Sequence, residues 1–178
     1  MNACSFSLKP FHCADPPPGI AIGGDVSRSG HVIAVRYEVS GDTAAIAIPE
    51  PSECPERRDG LWKETCFELF VAEKGRDEYR EFNLSPAGHW NVYCFDGYRT
   101  GMREDPGFVA LPFHLVKSRE KMVLSLEIDA AAFVRSGGTF ELAVSAVIVA
   151  GDGPSYWALV HPGEAADFHR RDAFTIEL

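Results

Sequence analysis

Short segments in which apolar and polar residues alternate dominate this chain, and this alternation restricts the folds that it can adopt. In residues 121–128 (KMVLSLEI) every second residue is Met, Leu or Ile, and in residues 65–72 (TCFELFVA) Phe67, Leu69 and Val71 share one face. Successive side chains of a strand point to opposite faces, so each segment has one apolar face for a core. Half-buried strands of this kind are typical of antiparallel sheets.

The predicted strands are separated by Gly, Pro and Asp, the residues that favour turns. They span residues 5–11, 31–39, 44–48, 65–72, 78–84, 90–95, 108–116, 121–128, 139–150 and 173–178. A single helical segment is predicted at residues 129–135, with Asp129 placed to cap it and Gly137 and Gly138 placed to end it. At 178 residues the chain has the length of one domain. We therefore expect one all-β domain over residues 1–178, an antiparallel β-sandwich of jelly-roll type with at most one short helix.

The charge balance argues against polyanionic partners. Acidic residues number 26 and basic residues 17, a net charge of -9, so a nucleic acid or an anionic membrane surface would be repelled. The longest apolar stretch, residues 142–150, has the length of a buried strand and is too short for a membrane span. The start of the chain lacks a secretory pattern, and the cysteines form no C-x-x-C pair. We expect a cytoplasmic protein with reduced thiols.

Candidate binding residues concentrate between positions 62 and 99. Trp62 precedes a predicted strand, and Glu68 lies within that strand on the face opposite its large apolar residues. On the next strand Glu81 and Asn83 share a face, and Arg99 follows a turn that could rim the same opening. Sugars stack their C–H faces on aromatic rings and bond their hydroxyls to groups such as Glu, Asn and Arg. The alternative is structural, with Trp62 covering the edge of the core and the polar face in water.

Three motifs and the C-terminal tail resemble a known family. The motifs are LW-x-x-TCFELF, YREFNLSPAG-x-W-x-x-Y and YR-x-GM, and the tail is DFHRRDAFTIEL at residues 167–178. Together they resemble the bacterial DOMON-like proteins related to family 9 carbohydrate-binding modules. The resemblance implies a β-sandwich and a saccharide or sugar-containing metabolite as ligand.

The resemblance also implies roles for particular residues. Trp62 and Glu68 hold the spacing of an aromatic and an acidic pocket residue in the sugar-binding modules. Trp157, in SYWALVHPG, is similar in position to a second aromatic that closes the pocket. Glu81 and Asn83 correspond to polar positions of the following strand. We expect the two indoles to stack on a sugar ring, and the polar residues to bond its hydroxyls.

Haem is one alternative ligand, because DOMON relatives include haem-binding domains with Met and His axial ligands. The available pairs are Met102 with His89 and Met102 with His161. A methionine that fills the core is the plainer interpretation of Met102. We expect no haem.

Metal binding is a second alternative. His161, Asp167, His169 and Asp172 lie close together in the sequence, but they form neither an H-x-x-x-H nor an H-E-x-x-H motif. Calcium occurs in the related modules, yet no D-x-D-x-D loop is present. We expect no metal, with the aspartates capping turns.

Catalysis is a third alternative. Glu68 and Glu81 could lie on neighbouring strands at a separation suited to glycoside hydrolysis, whereas Cys66 has no device that would lower its pKa. The sequence favours a non-catalytic module that binds a saccharide. The alternative from another class is a structural or protein-interaction domain without a small-molecule ligand.

Overall fold

The computed structural model describes residues 2–12, 17–133, 138–151 and 153–178, and these form two antiparallel sheets packed face to face. The strands are β1 (Asn2–Ser7), β2 (Lys9–Pro10), β3 (Ala21–Ser29), β4 (Val32–Ser40), β5 (Cys66–Glu73), β6 (Tyr79–Leu84), β7 (Trp90–Phe95), β8 (Arg103–Glu104), β9 (Phe113–Lys117), β10 (Lys121–Asp129), β11 (Phe140–Ala150), β12 (Gly153–Ala158) and β13 (Ile176–Glu177). The expected antiparallel β-sandwich is confirmed.

The two sheets differ in size. The first has five strands in the order β1-β3-β4-β10-β9, and the second has eight in the order β2-β12-β11-β5-β6-β7-β8, with β13 paired to β11. Four short 3-10 helices occur among the described residues, at Thr43–Ala45, Leu61–Lys63, Ala130–Ala132 and Arg171–Ala173. None of the described helices is long and apolar enough to cross a membrane.

The main core lies between the sheets and follows the alternation of the sequence. Phe67 and Leu69 on β5 and Leu124 and Leu126 on β10 belong to one buried cluster that draws on both sheets. Tyr37 on β4 is completely buried there, and its hydroxyl donates a 2.7 Å hydrogen bond to the carbonyl of Glu68 in the facing sheet. This bond satisfies a polar group that would otherwise be costly to bury.

Several expected elements differ in the structure. Residues 44–48 are not a strand: Thr43–Ala45 form a 3-10 helix, and Ile46 makes one isolated bridge to Ala150. The Thr43 hydroxyl donates to the carbonyl of Arg119 at 2.9 Å, which holds this turn against the loop between β9 and β10. The sequence also missed β3 and β12. The first contains two adjacent glycines and the second contains Gly153 and Pro154, residues depleted in strands.

The C-terminal strand and the helix are both shorter in the structure than the sequence predicts. The C-terminal strand narrows to Ile176–Glu177, which pairs with β11 as an added strand. The helix expected at 129–135 is a 3-10 turn over Ala130–Ala132, and residues 134–135 lie outside the described part. Asp129 caps this turn as expected, because its carboxylate accepts a 2.9 Å hydrogen bond from the Ala131 N–H. Gly137, one of the two glycines expected to end the helix, also lies outside the described residues.

Trp157 lies in the inter-sheet core. It is on β12, only 4% exposed, and belongs to the main buried cluster. Its indole Nε1 donates a 2.9 Å hydrogen bond to the Ser155 hydroxyl, which in turn donates to the carbonyl of Ile148 at 3.1 Å. Both the ring and its polar edge are therefore used by the fold itself.

This placement predicts a stability cost for Trp157→Phe. The smaller ring leaves unfilled space and the Ser155 hydroxyl loses its donor, so the free energy of unfolding should fall by about 1–3 kcal/mol. Urea titration followed by circular dichroism measures this change. Trp62→Phe, at a half-buried indole outside that core, should cost less than about 1 kcal/mol. Equal losses in the two variants would contradict the assignment of Trp157 to the core.

Candidate functional site

The outer face of the eight-stranded sheet carries a cluster of polar side chains. Because Phe67 and Leu69 of β5 point into the sandwich, Glu68 between them points to the opposite face. In the sheet register Glu68 lies opposite Asn83 on β6 and opposite Ser145 on β11. Glu81, two residues from Asn83 along β6, shares this face. Antiparallel pairing thus brings two carboxyl groups together from neighbouring strands.

This outer face is covered rather than open to water. A second buried cluster contains Phe70, Tyr79, Phe95 and Phe174, with Trp62 and Phe168 packed against it. The Tyr79 and Phe95 rings stack with centroids 4.7 Å apart, and the Phe174 ring meets that of Phe70 at 5.8 Å. The cluster joins the sheet to the segment 166–174 near the C-terminus. Consequently every residue from Cys66 to Ala72 is buried, including those on the outer face.

His169 connects this segment to the polar cluster. Its ring lies edge-on to Phe70 and Phe95, with centroids 5.3 and 5.1 Å apart. The Nδ1 atom is 2.8 Å from the Tyr79 hydroxyl, and Nε2 is 3.8 Å from Oε2 of Glu81. Burial, and then the positive charge of Arg99, lowers the pKa of His169 to about 4. The imidazole is therefore neutral at neutral pH.

Arg99, in the turn after β7, binds Asp167 of the same C-terminal segment. Its Nη2 and Nε atoms donate to Oδ1 of Asp167 at 2.8 and 3.2 Å, and the Tyr98 hydroxyl donates to Oδ2 at 2.5 Å. Arg99 is also the one non-glycine residue of the described chain with a positive φ, 51°. Such a backbone conformation costs free energy and is often found at functional sites. Its N–H donates to the Tyr79 hydroxyl at 3.3 Å, which helps to hold this turn.

These elements enclose a pocket of about 300 Å³, at the lower end of the range for small-molecule sites. Its polar lining comes from two carboxyl groups, a guanidinium and an imidazole: Glu68, Glu81, Arg99 and His169. Its large apolar lining side chains are Trp62, Phe95, Met102, Tyr156 and Phe168. Aromatic surface and hydrogen-bonding groups therefore meet in one small cavity.

The two carboxyl groups are electrostatically unusual. Burial raises the pKa of Glu81 to about 7, although hydrogen bonding to Asn83 opposes the shift. Burial, followed by repulsion from Glu81, raises the pKa of Glu68 well above its ordinary value. Oε1 of Glu81 accepts a 2.7 Å hydrogen bond from the Asn83 amide, whereas Oε2 has no hydrogen-bond partner. The Ser145 hydroxyl donates to Oε2 of Glu68 at 3.3 Å.

The structure brings together most of the residues expected from the sequence. Trp62, Glu68, Glu81 and Arg99 all line the pocket. Asn83 is completely buried beneath them, where it positions the carboxyl group of Glu81. Asn83 is not among the pocket-lining residues, so the geometry favours a supporting role for it over the expected direct bond to a ligand hydroxyl.

Trp157 does not reach this pocket, and the expected pairing of two indoles is wrong. Side chains alternate along β12, so placing Trp157 in the inter-sheet core turns Tyr156 outward to the pocket. Phe168 and His169 also line the pocket, although the sequence did not single them out as pocket residues. A signal was available for both, because they belong to the DFHRRD stretch that carried the family resemblance.

The residues considered for haem have separate surroundings in the structure. Met102 lines the pocket and is 47% exposed. His89 lies in the turn between β6 and β7, where its Nδ1 accepts a 3.2 Å hydrogen bond from the Glu56 N–H. The Nε2 atom of His161 is 2.8 Å from the carbonyl of Lys9. Met102 is thus a pocket residue rather than the core residue that the sequence favoured.

The residues considered for a metal have other contacts. Asp167 binds Arg99, Asp172 binds Arg170 at 2.6 Å, and His169 contacts Tyr79. Within the described residues no group of three His, Cys, Asp or Glu side chains is arranged to hold a metal ion.

A larger cleft of about 490 Å³ lies elsewhere on the molecule. Its lining includes Arg80 and Arg103, but Arg80 binds Asp105 at 3.1 Å and Arg103 binds Asp96 at 2.7 Å. These charges are already paired. The cleft also has fewer aromatic side chains, so the smaller pocket is the better candidate for a binding site.

Comparisons with known proteins agree with this architecture. No family model and no curated sequence matches the chain. A protein from Bacteroides uniformis that is thought to bind carbohydrate aligns with a TM-score of 0.68 and 17% identity, over 95% of this chain and 83% of its own. A family 9 carbohydrate-binding module from Caldicellulosiruptor kristjanssonii, in complex with cellotriose, aligns with a TM-score of 0.54 and 7% identity, over 91% of this chain and 75% of the module. At these identities the similarity establishes a common fold.

The raised pKa of Glu81 predicts a pH-dependent stability. Between its ordinary value of 4.5 and about 7, the folded state keeps a proton that the unfolded chain has lost, so this group's contribution to stability falls as pH rises. His169 acts in the opposite direction between about 4 and 6.5, because its unfolded form binds more protons. A comparison of variants therefore separates the two effects better than the wild-type profile does.

We expect Glu81→Gln to gain stability relative to wild type as pH rises. From about pH 5 to about pH 8, the difference in the free energy of unfolding should change by about 2–3 kcal/mol in favour of the variant. Urea titrations at the two pH values measure it. Glu78→Gln, at an exposed carboxyl group one residue before β6, should show no such change. Parallel pH profiles for Glu81→Gln and wild type would refute the burial of an ionisable Glu81.

Proposed function

We propose that this chain is a non-catalytic ligand-binding module whose ligand is a saccharide or a sugar-containing metabolite. The observation that carries the proposal is the joint lining of one small pocket by aromatic rings and by buried polar groups. Trp62 and Tyr156 offer flat apolar surfaces, while Glu68 and Glu81 offer acceptors. Sugar rings need both, because their C–H faces pack on aromatics and their hydroxyls need hydrogen-bond partners.

The pocket-lining groups have defined positions, which favours binding. Trp62 packs edge-on against Tyr93 with centroids 5.8 Å apart, and the Tyr93 hydroxyl donates to Asp59 at 2.5 Å. Tyr156 meets the ring of Phe168 at 6.2 Å. Side chains held in this way lose little conformational entropy when a ligand binds.

The comparisons support the proposal through the fold. Both structural neighbours are described in terms of carbohydrate: one is thought to bind it and the other is a carbohydrate-binding module. A shared fold alone does not transfer a ligand. The proposal therefore depends on the chemistry of the pocket, and the neighbours indicate which ligand class to test first.

Intrinsic fluorescence provides a direct test, because the three tryptophans lie in different surroundings. Trp90 and Trp157 are buried in the inter-sheet core, whereas Trp62 lines the pocket. Titration with a panel of mono- and disaccharides should change the emission of the wild-type protein, and Trp62→Phe should abolish the change. Trp62→Ala should weaken binding by about tenfold, through loss of stacking, as measured by isothermal titration calorimetry.

Trp157→Phe is the matched control for these titrations. It should keep the ligand-induced change in emission and the affinity, since the Trp157 side chain points into the inter-sheet core, on the opposite face of the sheet from the pocket. A change in emission that survives Trp62→Phe would place the ligand elsewhere. A wild-type protein that binds no sugar in calorimetry would favour the structural or protein-interaction alternative. Release of nitrophenol from aryl glycosides, lost in Glu68→Gln and Glu81→Gln, would instead show an enzyme.

A further inference from the structure

Two carboxyl groups line the pocket, and the described cation beside them is already paired. The carboxyl groups are those of Glu68 and Glu81. Among the pocket-lining side chains that the structure describes, Arg99 is the one arginine or lysine. Its guanidinium is engaged by Asp167 through contacts of 2.8 and 3.2 Å. The positive charge beside the pocket is therefore matched by a carboxylate outside it, and the two glutamates have no equivalent partner.

One carboxyl oxygen of Glu81 lacks a hydrogen-bond donor among the described residues. The residue is 4% exposed, and Oε1 is bonded to the Asn83 amide. Oε2 has no hydrogen-bond partner, and its contact to Nε2 of His169, at 3.8 Å, is too long for a hydrogen bond. A buried carboxyl oxygen without a donor is costly and rare in native proteins. A ligand that donates to this atom would remove the cost.

The other groups that face Glu81 do not supply a positive charge. From β5 come Glu68 and Cys66, whose thiol has a pKa raised well above its ordinary value by burial. The hydroxyls of Tyr79 and Tyr93 have pKa values raised chiefly by burial, that of Tyr79 to about 12. His169, with its pKa lowered to about 4 by burial, is neutral. Arg99 is the nearby cation, and it is paired.

We propose that the ligand of this pocket carries a protonated amine, whose ammonium group lies against the carboxyl group of Glu81, displaces its proton and pairs with the carboxylate that remains. If the ligand is a saccharide, as proposed above, it is then an amino sugar, and this part of the inference rests on the proposed function. The ammonium group supplies a hydrogen-bond donor for Glu81 and a positive charge that pairs with its carboxylate. Hydrogen bonds between ionised partners are about twice as strong as neutral ones.

The aromatic lining fits the same ligand. Trp62, Tyr156, Phe95 and Phe168 border the pocket together with the carboxyl groups. The negative face of an aromatic ring attracts a cation, and indole does so most strongly. A neutral hydroxyl in the same place would donate a hydrogen bond, but it would gain neither the cation–π attraction nor the charge attraction of an ionised carboxylate. We expect an aminodeoxy sugar to bind at least about tenfold more tightly than its neutral parent.

The preference for an amine should depend on pH. A cation stabilises the ionised form of Glu81, so binding at about pH 6 displaces a proton from the carboxyl group. Affinity for the amino sugar should therefore rise from about pH 5 to about pH 6.5, because the pKa of Glu81 is about 7 without the ligand. The affinity for a neutral sugar should not rise in this interval.

Calorimetric titration with four classes of probe tests the inference. The panel contains the hexosamines glucosamine, galactosamine and mannosamine, their neutral parents, their N-acetyl derivatives, and cyclohexylamine, which has a ring and a charge but no hydroxyls. Tightest binding by a hexosamine, with proton release at about pH 6, supports both the amine and the saccharide proposals. Equal or tighter binding of the neutral sugars overturns the amine inference and leaves the proposed function standing.

Other outcomes would overturn the saccharide function while supporting the amine site, or would overturn both. Binding by cyclohexylamine with no advantage from sugar hydroxyls supports an amine site and overturns the saccharide function. Absence of binding by every probe overturns both. Glu81→Gln should abolish both the tenfold preference for a hexosamine over its neutral parent and the pH dependence of hexosamine affinity. Glu78→Gln, at an exposed carboxyl group, should leave the preference intact, and a loss there would show a non-specific charge effect.

Discussion

The second hydrophobic layer, on the outer face of the larger sheet, is the constraint on which the candidate site depends. In a sandwich the outer faces normally meet water. Here the rings of Phe70, Tyr79, Phe95 and Phe174 pack together and bind the C-terminal segment to that face. The strand pattern alone would leave Glu68 and Glu81 in solvent. Under this layer they become buried carboxyl groups beside a small pocket.

Burial of these carboxyl groups gives them a chemistry that surface glutamates lack. A charge removed from water is expensive unless it is paired. The fold partly satisfies Glu81 through Asn83 and Glu68 through Ser145, yet it supplies no donor to one oxygen of Glu81. Native proteins usually keep such uncompensated groups where they have a use. The same atom thus connects the energetic cost of this face with its proposed role in binding.

The turn at Arg99 and the segment around Asp167 form the other side of the opening. The guanidinium–carboxylate contact of 2.8 Å connects parts of the chain that are 68 residues apart. Because Arg99 has a left-handed backbone conformation, the surrounding contacts must outweigh its strain. The similarity to two carbohydrate-related structures at 17% and 7% identity concerns the framework.

The fold class, the main core and the two acidic strand positions follow from the alternation of apolar and polar residues. Alternation with a period of two fixes which residues share a face, so Glu68 and Glu81 were correctly separated from Phe67 and Leu69. The segment that covers that face cannot be predicted from local patterns, because the contact between β5 and residues 166–174 spans about a hundred positions. Long-range packing also determines which of the two adjacent side chains, Trp157 or Tyr156, faces the pocket. Adjacent residues of a strand face opposite ways, and the direction depends on which sheet β12 joins, a fact that the sequence of β12 does not contain.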